Sequence, residues 1–484
     1  MRRATAFLSL LTTACATMEP HLGPPDSAVP ASWPAGGAQI AQAEAGLPAV
    51  TYKEVFTDPR LQTLIAQALV NNRDLMIAAA NIAAAREQVR LQRAQQLPQV
   101  SASGGVTLSG DKSKDVSARY NAGISVPSFD LDLFGRLRSL SHAEIQQYLA
   151  TEAGARATRL SLVADIANAW LDYAADSSLL LVSQQTVKIA ESSVRLTRIR
   201  LEGGIAARTD LSQAQEILSQ AQANLALQRT GVAQDVNALQ LLVGAPINPA
   251  LLPSSIDQAG PTIADVRPGL SSEILLRRPD VLQAEFQLRA ANANIGAARA
   301  SLFPRIALTG LLGFASSALT SLFTGGAFAW QAAANAAYTI FQGGAGHANL
   351  RLTEAQRNAA LASYQRAVQT AFREVADALA RRSTMDEQLA AIQRQQAAAA
   401  DVLLLTEARY RAGIDPFLNV LDAQRSYYGV QQTVVNTRRT AAQNRVAVYQ
   451  SLGGDTLLQN APLCQVTYVS SASSAKLASQ CSPM

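Results

Sequence analysis

The sequence predicts a mainly α-helical chain that also carries membrane-spanning β-strands, built as two copies of one unit. Three observations carry this expectation: two long stretches without proline, four segments of alternating polarity, and a self-match between the two halves. At 48% hydrophobic but only 16% charged, with a mean hydropathy of +0.06, the chain is neither a disordered polyelectrolyte nor a bundle of apolar spans. It has no run of about eighteen or more uncharged apolar residues, so any membrane span must be made of strands.

Forty-one Lys and Arg face 36 acids, for a net charge of +5, and the arginines are scattered along helical stretches. Nucleic-acid binders concentrate basic residues on one face or tail and interleave aromatic platforms. Neither pattern is present, so nucleic acid is not an expected partner.

The N-terminus reads as an export signal. Arg2 and Arg3 precede an apolar stretch over 4–11, then small residues and Cys15. This resembles a lipoprotein signal, with 1–14 removed and Cys15 carrying the lipid. Thr12 stands where lipoboxes usually have Leu, so cleavage by an ordinary signal peptidase is the alternative. A single acyl chain is a weak anchor that needs support elsewhere in the protein. Ala16, not an acid, follows the Cys, the arrangement that permits sorting to the outer membrane. Export also places Cys464 and Cys481 where a disulfide is allowed; a bridge and two free thiols are equal readings.

Proline divides the rest, because inside a helix it costs about 3 kcal/mol. Six of the 19 prolines lie between Pro20 and Pro48 and six between Pro246 and Pro279, marking an extended lead over 15–57 and a linker over 246–279. Between them, 137–202 predicts one helix of roughly 100 Å at 1.5 Å per residue. Gly203 and Gly204 end it, and a second helix runs from Asp210 to the Gly244 and Pro246 stop. A long helix over 347–411, a break at Gly413 and a shorter helix ending at Gly453 repeat the pattern.

The repeat is visible residue by residue. Asp74 to Pro98 aligns with Asp280 to Pro304, while Gly204, Asp210 and Gly244 align with Gly413, Asn419 and Gly453. Repeat 1 therefore covers 58–245 and repeat 2 covers 280–455, each a helix, a strand pair and a long helical hairpin. The tail over 456–484 has no counterpart.

The strand pairs are expected at about 98–110 and 119–134, and at about 304–314 and 328–341. Val100, Ala102, Gly104, Val106 and Leu108 alternate with Ser101, Ser103, Gly105, Thr107 and Ser109, the period of a strand with one apolar face. In the second half Trp330, Tyr338 and Ile340 share one face. About ten residues suffice for a tilted strand to cross a bilayer. Four strands cannot close a barrel, and an open edge in lipid leaves backbone groups unsatisfied. Two copies would give eight strands and three would give twelve; a soluble pair of hairpins is the remaining reading.

The stretch Leu275-Leu276-Arg277-Arg278-Pro279-Asp280, running on through Ala291-Asn292-Ala293-Asn294-Ile295-Gly296 to Phe303-Pro304, resembles the outer membrane efflux proteins, that is, TolC-like outer membrane factors in their NodT-type lipoprotein branch. Asp130-Leu131-Asp132-Leu133-Phe134-Gly135-Arg136 and Leu421-Asp422-Ala423-Gln424-Arg425 are similar to two further family motifs. Gln342-Gly343-Gly344-Ala345-Gly346 departs from relatives, which tend to flank these glycines with an acid and an Arg.

The resemblance implies a homotrimer whose strands form a twelve-stranded barrel in the outer membrane, continuous with an α-helical barrel in the periplasm. It implies a passive exit duct for small molecules such as drugs, with outer-membrane lipid around it. Its partners would be a periplasmic adaptor (membrane fusion) protein and an inner-membrane pump of the resistance-nodulation-division type. It also carries over a periplasmic gate at Leu418, Asp422 and Arg425, and adaptor-docking hairpin tips at Gly203, Gly204, Asp210 and Gly413. The plain alternatives are an i,i+3 surface ion pair between Asp422 and Arg425, and helix termination at the glycines.

An enzyme is not expected. Asp130 and Asp132 have no companion His and suit a strand-to-helix elbow. His21, His142 and His347 are too dispersed for a metal site, and no Lys-Ser/Thr follows Gly343 to Gly346 to make a phosphate loop. No cofactor is called for. A periplasmic coiled-coil scaffold or adhesin without a pore is the rival from another class.

Overall fold

The computed structural model describes residues 17–23, 51–110, 116–265 and 272–454. Cys15, Cys464, Cys481 and the signal and tail segments lie outside the described residues. Seven main helices and four strands follow in the order α1 (Pro59–Asn71), α2 (Arg73–Ala94), β1 (Ser101–Gly110), β2 (Val116–Leu131), α3 (Arg136–Glu202), α4 (Arg208–Val243), α5 (Pro279–Ala300), β3 (Arg305–Ser316), β4 (Phe328–Ala337), α6 (Ala345–Arg411) and α7 (Phe417–Ser451). The helices α3 and α6 are 67 residues each, as their proline-free sequences allow. No helix among the described residues is long and apolar enough to cross a membrane.

The chain divides into two compact units. The first holds the sheet, with 17–23, the end of α2, the start of α3, most of α5 and the start of α6. Its four strands are antiparallel in the order β1-β2-β3-β4, so the two repeats join at the β2–β3 pair. Register places Val106 opposite Tyr120, Ile124 opposite Leu312 and Leu312 opposite Trp330. One face is thus apolar across all four strands. The other pairs Ser101 with Ser125 and Ser109 with Ser117, each through hydroxyls at 3.0 and 2.7 Å.

A bulge between Val126 and Phe129 changes the parity of β2, at Pro127, which has no N–H to give to the ladder. Beyond it Phe129 and Leu131 stand opposite Leu308 and Ile306, so the apolar face continues on odd-numbered residues. Gly123 and Gly313 face each other where the strands approach closely: a Cβ on Gly313 would lie 2.5 Å from the Ala122 carbonyl oxygen.

The second hairpin is shorter than its alternation suggests. β4 ends at Ala337, which pairs with Arg305; Pro304 precedes Arg305 and offers no further donor, so Tyr338 and Ile340 lie beyond the ladder. β2, in contrast, begins at Val116, three residues before the expected start.

The second unit holds the core of the helical hairpins. Leu61, Leu64 and Ile65 of α1, Ile166, Trp170 and Leu171 of α3, Leu239 and Val243 of α4, and Val446 and Tyr449 of α7 are buried together. The described part of the linker packs into this core through Ile256 and Ile263, and Trp170 Nε1 donates to the Leu251 carbonyl at 3.2 Å. Asp58 caps α1 and pairs with Arg60 at 2.8 Å. Arg278 is buried: it donates to both carboxylate oxygens of Asp280 (3.0 and 2.8 Å), to Glu374 (2.8 Å) and to the Ser451 carbonyl (2.9 Å). One guanidinium thereby ties the start of α5 to α6 and to the end of α7.

Candidate gate and duct residues

The two hairpin tips are built alike. Gly204 and Gly413 adopt left-handed φ of 74° and 76°, which end α3 and α6 without the strain a side chain would bring. In each tip the next residue, Ile205 or Ile414, donates its N–H to a carbonyl five residues back, Arg200 or Arg409, at 2.9 Å. This is the six-to-one bond of a Schellman turn. Gly203 donates to the Ile199 carbonyl at 3.0 Å, and Asp210 lies in the first turn of α4, where the helix dipole favours an acid. Ile205 and Ile414 are 67% and 62% exposed, so each tip presents one isoleucine to its surroundings.

The side chains at the tips differ between the copies. Arg409 grips Asp415 with two bonds of 2.7 and 3.0 Å, holding that carboxyl below the usual carboxylate range. The repeat aligns Arg200 with Arg409 but puts Ala206 where Asp415 stands. Arg200, lacking a local acid, reaches the other hairpin instead, donating to the Tyr410 carbonyl at 3.0 Å with its guanidinium 4.7 Å from the Tyr410 ring centroid. Below it Tyr410, Phe417, Val420 and Leu421 form a small buried cluster with Val194 and Ala214.

Leu418, Asp422 and Arg425 lie at i, i+4 and i+7 on α7, which gives them one face. All three are exposed in the single chain, whereas Phe417, Val420, Leu421, Ala423 and Gln424 are buried. Gln424 fixes the rotation of α7 through a 2.9 Å bond to the Ser193 hydroxyl. No ion pair joins Asp422 to Arg425 among the described residues, so the plain i,i+3 pair is not formed within the chain.

At the strand-to-helix elbow, Asp130 pairs with Arg136 at 3.1 Å and Asp132 accepts from the Arg138 N–H at 2.9 Å. These acids hold the turn and the start of α3. Among the described residues no group of three or more His, Cys, Asp or Glu is placed to hold a metal ion.

Arg200, the Asp415 clasp and an acidic group on α3 and α4 belong to no motif in the sequence and emerge only in the fold. Asp235 lies near Asp172 and Asp176, and burial, then the two neighbouring negative charges, raise its carboxyl to about 7. Arg439 of α7 approaches Asp172 at 3.5 Å, and Gln443 donates to it at 2.9 Å. The missing side chain of Gly231, one turn before Asp235, leaves room for Asp176: a Cβ there would sit 3.0 Å from its Oδ2.

Residues 64–245 and 270–454 match the family described as outer membrane efflux protein. The chain is 40% identical over 467 residues to the toluene efflux pump outer membrane protein TtgC of Pseudomonas putida, covering 93% of this chain and 95% of that one. It is 38% identical over 459 residues to the outer membrane protein OprJ of Pseudomonas aeruginosa, with 93% and 95% covered. Among solved structures, the open-state MtrE outer membrane channel of Neisseria gonorrhoeae superposes with a TM-score of 0.80 at 34% identity, over 91% of this chain and 99% of that one.

Proposed function

The chain belongs to the outer membrane efflux protein family, and from that premise we propose how its parts make a gated exit duct. It is an outer-membrane protein that serves as the exit duct of a tripartite efflux system. Three copies bring twelve strands together and close the two free edges, β1 and β4, that one chain leaves unpaired. The apolar face turns to lipid, and the face bearing Ser101, Asn121 and Ser125 turns to water.

The duct closes at the hairpin tips. Three-fold symmetry sets three Leu418 side chains as a hydrophobic constriction and three Asp422 carboxylates as an acidic ring, with Arg425 available to a neighbouring chain. What supports this is the exposure of all three on one face of α7 while Val420, Leu421, Ala423 and Gln424 are buried. The tips at Gly203, Gly204, Asp210 and Gly413 receive a periplasmic adaptor, which connects the duct to an inner-membrane pump of the resistance-nodulation-division type. Cys15 carries a lipid that adds a second attachment to the outer membrane. The pump supplies the energy, and the duct conducts passively.

Conductance across a planar bilayer tests the reading. The purified protein should insert as discrete, low-conductance steps, and a preparation that never conducts would contradict it.

A further inference from the structure

In the second unit α3, α4, α6 and α7 leave a cavity of about 180 Å³ between them. Its floor is apolar, made by Ile189 and Ala190 of α3, Ile217 and Ala221 of α4, and Leu403 of α6. Ala190 and Ala221 are buried, and their short side chains leave the space that longer ones would fill. On the α7 side the wall is pinned to α3 at two points: Gln424 donates to the Ser193 hydroxyl at 2.9 Å, and the Tyr428 hydroxyl lies 3.3 Å from that of Ser183. Two charges line the same cavity, Glu216 from α4 and Arg425 from α7. Both are exposed, they form no ion pair with each other, and neither bonds another side chain among the described residues. Gln220 and Thr186 of the wall are, by contrast, already engaged, with Asn224 at 3.0 Å and with the Val182 carbonyl at 2.9 Å. An unpaired acid and an unpaired base beside an apolar floor suit a ligand that carries both charges and a ring.

We propose that this cavity binds a small zwitterionic aromatic molecule, its ring on Ile189, Ile217 and Leu403, its ammonium at Glu216 and its carboxylate at Arg425. Size sets the class. Drug-sized ligands occupy roughly 300 Å³ or more, whereas 180 Å³ admits one ring system with a short polar tail, the dimensions of an aromatic amino acid. The guanidinium fork matches a carboxylate with two parallel bonds, and the Glu216 carboxylate accepts from an ammonium. Arg425 is also the residue offered to a neighbouring chain at the gate. A bound carboxylate competes for it, so occupancy favours the open duct; this consequence rests on the gate reading, and the binding site does not.

Fluorine NMR on the full-length protein in detergent tests the site with three probes. Para-fluorophenylalanine carries both charges, para-fluorophenethylamine only the ammonium, and para-fluorohydrocinnamate only the carboxylate. The zwitterion should bind saturably and each single-charge probe about tenfold more weakly, the loss of one charged hydrogen bond. Glu216→Gln should bring the zwitterion down to the level of the carboxylate probe. Ala221→Leu, which fills the floor, should weaken all three while the mass of the assembly is kept. Equal binding of the three probes, or zwitterion binding that survives both variants, overturns the site. In planar bilayers the zwitterion should lengthen open events of the wild type but not of Glu216→Gln. Binding without that change overturns the competition for Arg425, whereas failure of the gate itself is read separately, as unchanged conductance in Asp422→Ala with Arg425→Ala.

Discussion

The Arg200 guanidinium caps the far hairpin, donating to the Tyr410 carbonyl at 3.0 Å while lying 4.7 Å from the Tyr410 ring centroid. One residue of α3 thereby ties the end of α6 in the same chain. A bond from a charged donor contributes about 1.5–3 kcal/mol and an exposed cation–π contact about 0.5–1 kcal/mol. Arg200→Ala should therefore loosen the tip without unfolding the chain. We expect faster hydrogen exchange over 409–415 and longer open events in single-channel records; unchanged exchange there would show that the Asp415 clasp holds the tip alone.

The gate residues make a separate prediction. Asp422→Ala with Arg425→Ala removes the charges on the exposed face of α7 and leaves the buried Leu421 and Gln424 in place. Single-channel conductance should rise, and efflux in cells should persist. Wild-type conductance in the double variant would place the constriction elsewhere.

Among the sheet's glycines, Gly123 and Gly313 have the least room for a side chain. Gly123→Val would drive a side chain to within 2.7 Å of the Leu312 carbonyl oxygen, forcing β2 from β3 where the two repeats join. Loss of the heat-modifiable band on gels is the expected result. Gly310→Ala, on β3 three residues before Gly313 and with nothing within 4 Å of its added Cβ, should be tolerated.

The carboxyl of Asp235 gives a pH signature. Its value of about 7 against an ordinary 3.8 means the folded protein holds this proton more tightly than the unfolded chain. Its contribution to stability is thus complete below about pH 4 and is lost as pH rises through about 7. Asp235→Asn keeps the neutral form at every pH. Its Tm should exceed that of the wild type at pH 8 and approach it in acid; a constant offset between the two curves would remove Asp235 as the cause.

Much of this was legible in the sequence because the signals are local. Proline-free runs disclosed α3 and α6, since one interior proline would have broken either. Alternation disclosed the strands and, through the repeat, their grouping as two pairs; that the pairs join at β2–β3 into one sheet came from the structure. The bulge at Pro127 was not legible, because alternation on each side reads as regular and only the register with β3 shows the change of parity. Arg200 was hidden for another reason: its partner lies 210 residues away, and the only clue was that its repeat mate Arg409 has Asp415 where Arg200 has Ala206. The Asp172, Asp176 and Asp235 group likewise exists only once α3 and α4 are packed. The motif on which the gate is proposed was visible in the sequence, and the structure adds that Leu418, Asp422 and Arg425 are exposed in the single chain.

Closure of the sheet by three chains is the central claim, and the native mass of the detergent-extracted outer-membrane protein addresses it most directly. Light scattering corrected for bound detergent should give three times the mass of the mature chain. A monomer extractable without detergent would mean that the four strands pack on protein, and the duct would have to be given up for a pore-less periplasmic scaffold.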